Sequence, residues 1–220
     1  ARAFILEPGL GTDGKLKTAR KGVGRFRILI HGEAAHSGLD PTNGASAIQE
    51  LANVVHQLHG LTDLERGITV NVGVVQGGTR VNVKAAEAEA EVDVRVASMD
   101  DGEAVTRAIR GLTARTPGTS LEVLGGIQAP PLERTPRNRR LWEAARAAGN
   151  RLGIELEEGT SGGASDGNTT SQYAATLDGL GSLGDGAHAL HEHVVAKALP
   201  SRAALLAELL LSPVSSGDEW

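Results

Sequence analysis

An alternating stretch over residues 86–96 constrains the fold more than any other feature of this sequence. Alanine and valine occupy its even positions, and charged residues occupy the odd positions from 87 to 95. Successive side chains of a β-strand point to opposite faces of the sheet, so this pattern predicts a strand with one buried and one solvated face. Such strands are typical of antiparallel sheets.

The neighbouring segments predict that this strand belongs to a ferredoxin-like unit. Four segments are interpreted as strands: residues 25–31, 68–74, 85–97 and 121–124. A helix is expected between the first two strands and another between the last two. The resulting order, β-α-β-β-α-β, is that of the ferredoxin-like split βαβ domain.

The first helix is predicted over residues 44–59, with Asn43 as its N-cap and Gly60 as its end. Its apolar stripe is predicted to contain Ile48, Leu51, Val55 and Leu58. His56 and His59 lie off that stripe and are therefore expected to face solvent. The second helix begins after Ser98, whose spacing to Asp101 is typical of an N-terminal cap.

The ferredoxin-like unit is predicted to be inserted into an α/β domain. Residues 1–19 and 128–211 are assigned to that domain, 20–127 to the insertion, and 212–220 to a disordered tail. Within the α/β domain we expect a strand over 1–6, a helix over 138–152, a strand over 154–156 and a helix over 201–211.

Composition excludes several classes of function. The net charge is −5, and the sequence has no long basic stripe, so we expect no nucleic-acid partner. No apolar run approaches the ~20 residues of a membrane span, so we expect no membrane partner. The chain has no cysteine, which excludes disulfides and thiolate metal sites and fits a cytoplasmic location.

Two residues at the ends of the α/β domain have the chemistry of metal ligands. Glu7 follows an apolar strand and precedes Pro8-Gly9, at a sheet edge where α/β proteins bind ligands. His188 follows a glycine-rich loop within residues 177–194. Carboxylate oxygen and imidazole nitrogen are zinc donors, and Asp166 is a third candidate. These residues predict a metal-dependent hydrolase, although by composition alone Glu7 fits an exposed loop acid better.

Two other motifs offer rival interpretations. Residues 179–184 match the dinucleotide-binding pattern G-x-G-x-x-G, but Asp185 follows directly and would repel phosphate, so the match is interpreted as fortuitous. Residues 163–167 match G-x-S-x-G, and Ser165 with His188 would form a serine hydrolase. No apolar strand directly precedes Ser165, so a helix N-cap is the preferred role for it.

The ordered motifs resemble one family, the di-zinc exopeptidases and amidohydrolases that include glutamate carboxypeptidase and aminoacylase. They are ILEPG at 5–9, TARKGVGRF at 18–26, HGEAAHSG at 31–38, NVKAAEAEAEVDVR at 82–95, GGASDGN at 162–168 and GDGAHALHEHV at 184–194. The resemblance covers essentially residues 1–210. It implies a zinc-exopeptidase-like α/β catalytic domain with a ferredoxin-like lid and dimerisation domain.

The resemblance also implies roles for individual residues. Glu7 and His188 are similar to the family's ligands of two zinc ions. His36 is similar to the lid histidine that reaches the partner subunit's active site and donates to the developing oxyanion. Four residues resemble substrate-binding positions, namely Asn82, Arg95, Gly162 and Gly163, with Arg95 facing a terminal carboxylate.

The implied function is metal-dependent hydrolysis of an amide bond in a small peptide or N-acyl amino acid, by a homodimer that pairs through its lid. Two zinc ions are the expected cofactors, with manganese or cobalt as alternatives. The family's other ligands and its general base are absent, which predicts an inactive C-terminal fragment. A non-catalytic dimerisation or binding module from the same family is the second alternative.

Overall fold

The computed structural model describes residues 1–212, and residues 213–220 lie outside the described part of the chain. The predicted disordered tail therefore falls outside it, apart from Ser212. The chain forms two compact units, one over Gly22–Ala129 and one from Ala1–Lys21 together with the chain from Pro130 onward. Each unit boundary lies two residues beyond the sequence-based one.

The secondary structure is mixed α/β, as the sequence predicts. The strands are β1 (Arg2–Phe4), β2 (Leu16–Arg20), β3 (Gly22–His31), β4 (Thr69–Gly77), β5 (Glu87–Val96), β6 (Ser120–Ala129), β7 (Glu158–Ser161), β8 (Ala175–Leu177), β9 (Gly184–Asp185) and β10 (His193–Val194). The helices are α1 (Ala47–His59), α2 (Met99–Arg110), α3 (Pro136–Arg151), α4 (Asp166–Thr170) and α5 (Leu199–Leu211), with a 3₁₀ turn over Ala196–Ala198.

The unit over Gly22–Ala129 is a four-stranded antiparallel sheet with two helices. Its strand order is β4-β5-β3-β6, and β3 pairs along its length with both β5 and β6. The alternation predicted over residues 86–96 is confirmed, because Ala90, Val92, Val94 and Val96 are buried in a core that also contains helix residues. On the other face, Arg27 forms an ion pair with Glu89. The β-α-β-β-α-β prediction is therefore confirmed.

Helix α1 differs from its prediction at its first turn. Ser46, not Asn43, is the N-cap, and its hydroxyl accepts a hydrogen bond from Gln49 N at 3.3 Å. Gly44 has φ +73°, a left-handed conformation that ends the preceding loop and cannot belong to the helix. Ile48 is 46 % exposed, so its place in the stripe was wrong. The predicted exposure of His56 and His59 is confirmed.

Glu50 explains why the buried face of α1 is shifted. Its carboxylate is fully buried and accepts hydrogen bonds from Arg115 N at 3.1 Å and Thr116 N at 2.6 Å. A polar side chain therefore takes an inward position that a hydrophobic stripe could not predict. The contact links α1 to the loop between α2 and β6.

The second unit contains two short parallel strand pairs, β1 with β8 and β2 with β7. Its core is a separate cluster from that of the sheet unit and includes Leu16, Leu141, Trp142, Leu177 and Leu205. None of the helices within residues 1–212 is long and apolar enough to cross a bilayer.

The strand predicted over residues 154–156 was wrong, because β7 begins only at Glu158. Ile154 N instead donates to Gly149 O at 2.8 Å, so this segment terminates α3 rather than joining a sheet. Leu156 packs against the core of the second unit. The apolar spacing of Ile154 and Leu156 thus reflects a helix end.

Candidate functional site

Glu7 lies on an exposed loop that follows β1. Its backbone carbonyl accepts a hydrogen bond from Gly181 N at 2.9 Å, and Gly9 N donates to Ser182 O at 3.0 Å. The loop is thus paired with the segment that follows β8. Lys17 is close enough for the Glu7 carboxylate to affect it. Burial lowers the pKa of Lys17, Arg20 lowers it further, and the carboxylates of Asp178 and Glu7 oppose that change.

His188 lies in the turn between β9 and β10, which follows residues 181 and 182 in the chain. These two strands pair antiparallel, and Val195 N donates to Leu183 O at 2.7 Å next to the open end of the hairpin. His188 has φ +65° and an exposed side chain, and its backbone N donates to Glu192 Oε2 at 3.3 Å. A left-handed non-glycine residue is costly and is typical of functional turns.

Arg202 holds the backbone next to the Glu7 loop and the His188 hairpin. Its buried guanidinium donates to Gly181 O at 3.0 Å, to Gly14 O at 3.3 Å, and to Gly179 O. Burial lowers its pKa. Because the three carbonyls share one rigid planar cation, the start of the hairpin that carries His188 is fixed relative to the core.

The donors present fit part of a metal site. Glu7 offers carboxylate oxygen and His188 offers imidazole nitrogen, both exposed and on loops that adjoin the same backbone segment. Within residues 1–212, however, no three His, Cys, Asp or Glu side chains lie together as a set able to hold an ion. Any ion held by these two residues needs further ligands from elsewhere, since zinc takes about four.

His36 and Asn82 lie on two loops of the sheet unit that are hydrogen-bonded to each other. His36 forms an isolated antiparallel β-bridge with Val83, and Ser37 N donates to Asn82 O at 3.0 Å. His36 Nδ1 accepts hydrogen bonds from Gly38 N at 3.2 Å and Leu39 N at 3.1 Å. The amide nitrogen of Asn82 lies 3.3 Å from Nε2. The structure therefore brings these two predicted residues together.

The two backbone donors favour one tautomer of the neutral His36 ring. Nδ1 acts as an acceptor, so the proton belongs on Nε2. An Nε2–H group needs an acceptor, and Asn82 supplies one only with its side-chain oxygen turned towards the ring, an assignment that hydrogen bonding decides. The Nε2–H of His36 then donates to the Asn82 side chain, at an exposed part of the loop.

Arg95 lies on the solvated face of β5 and is already engaged by a carboxylate. Its Nε and one terminal nitrogen donate to Asp93 Oδ1 at 2.8 Å and Oδ2 at 3.0 Å. This is the two-point geometry by which a guanidinium binds a planar carboxylate. Asp93 thus occupies an edge of Arg95 in the way that a substrate carboxylate would.

Gly162 and Gly163 are exposed between β7 and α4. Ser165, which follows them, caps α4, and its hydroxyl donates to Asp178 Oδ2 at 2.6 Å and accepts from Gly167 N at 3.1 Å. These contacts commit the hydroxyl to a carboxylate and an amide rather than to an imidazole. The N-cap role preferred for Ser165 is confirmed.

Sequence reasoning missed the buried pair of Arg20 and Asp178. Arg20 ends β2 and Asp178 follows β8, and their side chains are 3 % and 0 % exposed. Arg20 Nε lies 2.7 Å from Asp178 Oδ2. The signal available was Asp178 directly after the mainly apolar run 174–177, but nothing in the sequence indicates that Asp178 and Arg20 meet.

Comparison with known proteins finds similarity to peptidases. Residues 18–118 match the family described as "Peptidase dimerisation domain". Carboxypeptidase G2 of Pseudomonas sp. strain RS-16 is 28 % identical over 217 residues, covering 93 % of this chain and 51 % of that protein. The chain thus spans about half the length of this curated relative.

Solved structures show the same fold. Aminopeptidase PepT from Bacillus cereus matches with a TM-score of 0.79 and 22 % identity, over 94 % of this chain and 55 % of that one. A Bacillus subtilis protein described as a dinuclear metal binding peptidase of the M20 family matches with a TM-score of 0.68 and 20 % identity, over the same shares. At such identities the likeness is one of fold.

Proposed function

We propose that the protein hydrolyses an amide or peptide bond in a small substrate that carries a carboxylate, because residues 18–118 match the peptidase dimerisation family and the chain is 28 % identical to carboxypeptidase G2 over 217 residues. The observation that carries this proposal is the pairing of the Glu7 loop with residues 181 and 182, at the base of the hairpin that bears His188. One carboxylate and one imidazole thus extend from a shared, anchored piece of backbone.

Glu7 and His188 are the residues of this chain that would hold metal, as two of the ligands in a site that others complete. Zinc is the ion proposed, with manganese or cobalt as alternatives, and such an ion supplies Lewis acidity to a carbonyl oxygen. The relative described as dinuclear and metal binding supports a metal site of this kind.

The remaining predicted residues bind and orient the substrate in this proposal. His36 donates its Nε2–H to the oxygen on which negative charge develops, from one subunit of a homodimer to the active site of the other. Asn82, which contacts the His36 ring in the free chain, binds the substrate beside it. Arg95 binds the substrate's carboxylate in place of Asp93, and the bare backbone of Gly162 and Gly163 lines the pocket.

A non-catalytic dimerisation module is the second candidate, favoured by the lack of a complete ligand set within residues 1–212. A serine hydrolase through Ser165 and His188 is disfavoured, because the Ser165 hydroxyl bonds Asp178 and Gly167 N.

Inhibition and mutation of the whole protein that contains this chain test the proposal. We expect a chelator to abolish hydrolysis of an N-acyl amino acid, zinc to restore it, and a serine-reactive phosphonate to leave it unchanged. Glu7→Gln and His188→Gln should each lower kcat/KM at least about a hundredfold, since even groups that only orient a metal ligand are worth ~10- to 100-fold.

His193→Gln is the matched control, because His193 is an exposed histidine of the same hairpin that is not assigned to the metal. Its kcat/KM should equal that of the wild type. Inhibition by the phosphonate but not by the chelator would overturn the proposal in favour of a serine hydrolase. A metal-loaded dimer that hydrolyses no amide substrate would favour the second candidate, a non-catalytic dimerisation module.

A further inference from the structure

The buried pair of Arg20 and Asp178 has contacts that stability alone does not explain. Two of the Arg20 nitrogens face the two oxygens of Asp178, at 2.7 and 3.3 Å. A buried ion pair contributes little net stability, because the cost of removing both charges from water offsets their attraction. Its known advantage is geometric, since a forked cation and a carboxylate set the directions of several hydrogen bonds at once.

Both members of the pair extend to the segment of residues 161–165. The remaining Arg20 nitrogen donates to Gly163 O at 2.9 Å and to Ser161 Oγ at 3.3 Å. Asp178 Oδ2 accepts from Ser165 Oγ at 2.6 Å. The segment is therefore held at its start, its middle and its end by one buried ion pair.

The two glycines inside this segment are not required by the fold. A Cβ built on Gly162 or Gly163 meets no atom within 4 Å, and neither residue has a left-handed φ. Gly167 differs, because its Cβ would lie 2.7 Å from Asp178 Oδ2. Bare backbone that packing does not demand is suited to close approach by a bound molecule.

We propose that Arg20, Asp178 and Ser165 are positioning residues that hold the backbone of Gly162 and Gly163 in one conformation against a bound substrate. The substrate class is that of the proposed function, on which this part of the inference rests: a peptide or N-acyl amino acid, with polar groups that lie along the glycine backbone. None of the three residues needs to touch it.

Arg20→Lys is the informative substitution. Lysine keeps the positive charge beside Asp178 but lacks the planar fork that reaches Asp178 and the Gly163 carbonyl together. We expect amide hydrogen exchange over residues 161–165 to accelerate at least tenfold, with exchange in β2 and β8 unchanged. Arg151→Lys is the control, because Arg151 pairs with Glu208 on a surface of the same unit, and it should leave the segment unchanged.

Ser165→Ala provides a second variant that keeps the ion pair, in case Arg20→Lys does not fold. It removes the hydroxyl between Asp178 and the start of α4, and it should also accelerate exchange over residues 161–165. Unchanged exchange there, in whichever variants fold, would overturn the proposal. Uniform acceleration that includes β2 and β8 would overturn it as well, because the pair would then serve stability alone.

Kinetic measurements test separately whether the glycine segment contacts the substrate. In the whole protein, Arg20→Lys should raise KM for an N-acyl amino acid about tenfold while kcat changes less. Faster amide exchange over residues 161–165 without any change in KM would show that this segment does not contact the substrate. If the wild type hydrolyses no such substrate, the proposed function fails, and the exchange experiment still decides whether the pair positions the segment.

Discussion

The two ring nitrogens of His36 have different surroundings, and this difference suits the donor role proposed for it. Two backbone N–H groups face Nδ1, whereas the Asn82 side chain faces Nε2. The loop over residues 36–39 thereby favours one tautomer of the ring. Of the predicted site residues, His36 and Asn82 are a pair that the structure brings into contact.

Nitrogen-15 NMR of the imidazole side chains tests this tautomer. We expect neutral His36 to show an unprotonated Nδ1 and a protonated Nε2, because Nδ1 accepts two hydrogen bonds. His59, exposed on α1, is the reference for an unconstrained ring. A spectrum in which His36 carries its proton mainly on Nδ1 would contradict the assignment.

Arg95 provides a prediction about specificity. Arg95→Lys keeps the charge and loses the two-point geometry, so kcat/KM should fall about 10- to 100-fold for a substrate with a free carboxylate, as for a charged hydrogen bond worth roughly 1.5–3 kcal/mol. The same substrate with its carboxylate amidated should show no such fall.

Arg25→Lys, on the neighbouring strand of the same solvated face, is the matched control for charge. It should leave both rates unchanged. Equal losses for the free and amidated substrates in Arg95→Lys would show that Arg95 does not recognise the carboxylate.

At the scale of elements, α1 is held to the loop before β6 by the carboxylate of Glu50. Burial alone would raise the pKa of Glu50, but hydrogen bonds from Thr116, Arg115 and Asn53 outweigh it and leave the pKa below its ordinary value. A carboxyl group with a depressed folded-state pKa stabilises the fold above its unfolded pKa. That stabilisation is lost as the pH falls through the folded value.

Glu50→Gln should therefore lower the free energy of unfolding by about 2 kcal/mol near pH 7, and by progressively less below the ordinary value of 4.5. Urea unfolding at a series of pH values measures this difference. Glu65→Gln, which changes an exposed acid of the same unit, should leave stability unchanged. A difference between wild type and Glu50→Gln that is constant with pH would contradict the account.

The strands of the sheet unit were predictable because alternation is a local property, repeated over β3 and β5. The start of α1 was not, because Asn43 and Ser46 are both good caps and only the left-handed Gly44 excludes the earlier one. The contact between Arg20 and Asp178 joins residues 158 positions apart. No local pattern encodes such a contact, so the positioning of the glycine segment became visible only in the fold.

At the scale of the whole molecule, the functional hypothesis comes from resemblance rather than from periodicity. The ordered motifs pointed to the peptidase family, and the match over residues 18–118 supports that assignment. The roles of Glu7, His188 and Arg95, and a cytoplasmic location, stay predictions. Periodicity could not supply them, because it reports burial and says nothing of which exposed side chains meet a ligand.

Dimerisation can be tested with this chain. Strand β4 lies at an edge of the sheet and exposes apolar side chains, with Val75 53 % exposed, a surface suited to pairing between strands. Sedimentation should show a mass near twice 22.7 kDa. Val75→Lys should weaken the dimer at least tenfold, because edge charges oppose pairing.

Leu124→Lys places the same charge on the opposite edge strand, β6, where Leu124 is 40 % exposed, and should leave the dimer intact. Dissociation by Leu124→Lys but not by Val75→Lys would place the interface on the other edge. A wild-type chain that sediments as a monomer at high concentration would contradict the proposed homodimer.

The location of bound metal tests the central claim most directly. Crystals of the whole protein grown with zinc should give anomalous-scattering peaks about 2.0–2.2 Å from a Glu7 carboxylate oxygen and from a His188 ring nitrogen. Both peaks should lie beside the backbone segment that Arg202 anchors. Zinc bound elsewhere, with Glu7 and His188 both in solvent, would contradict the account.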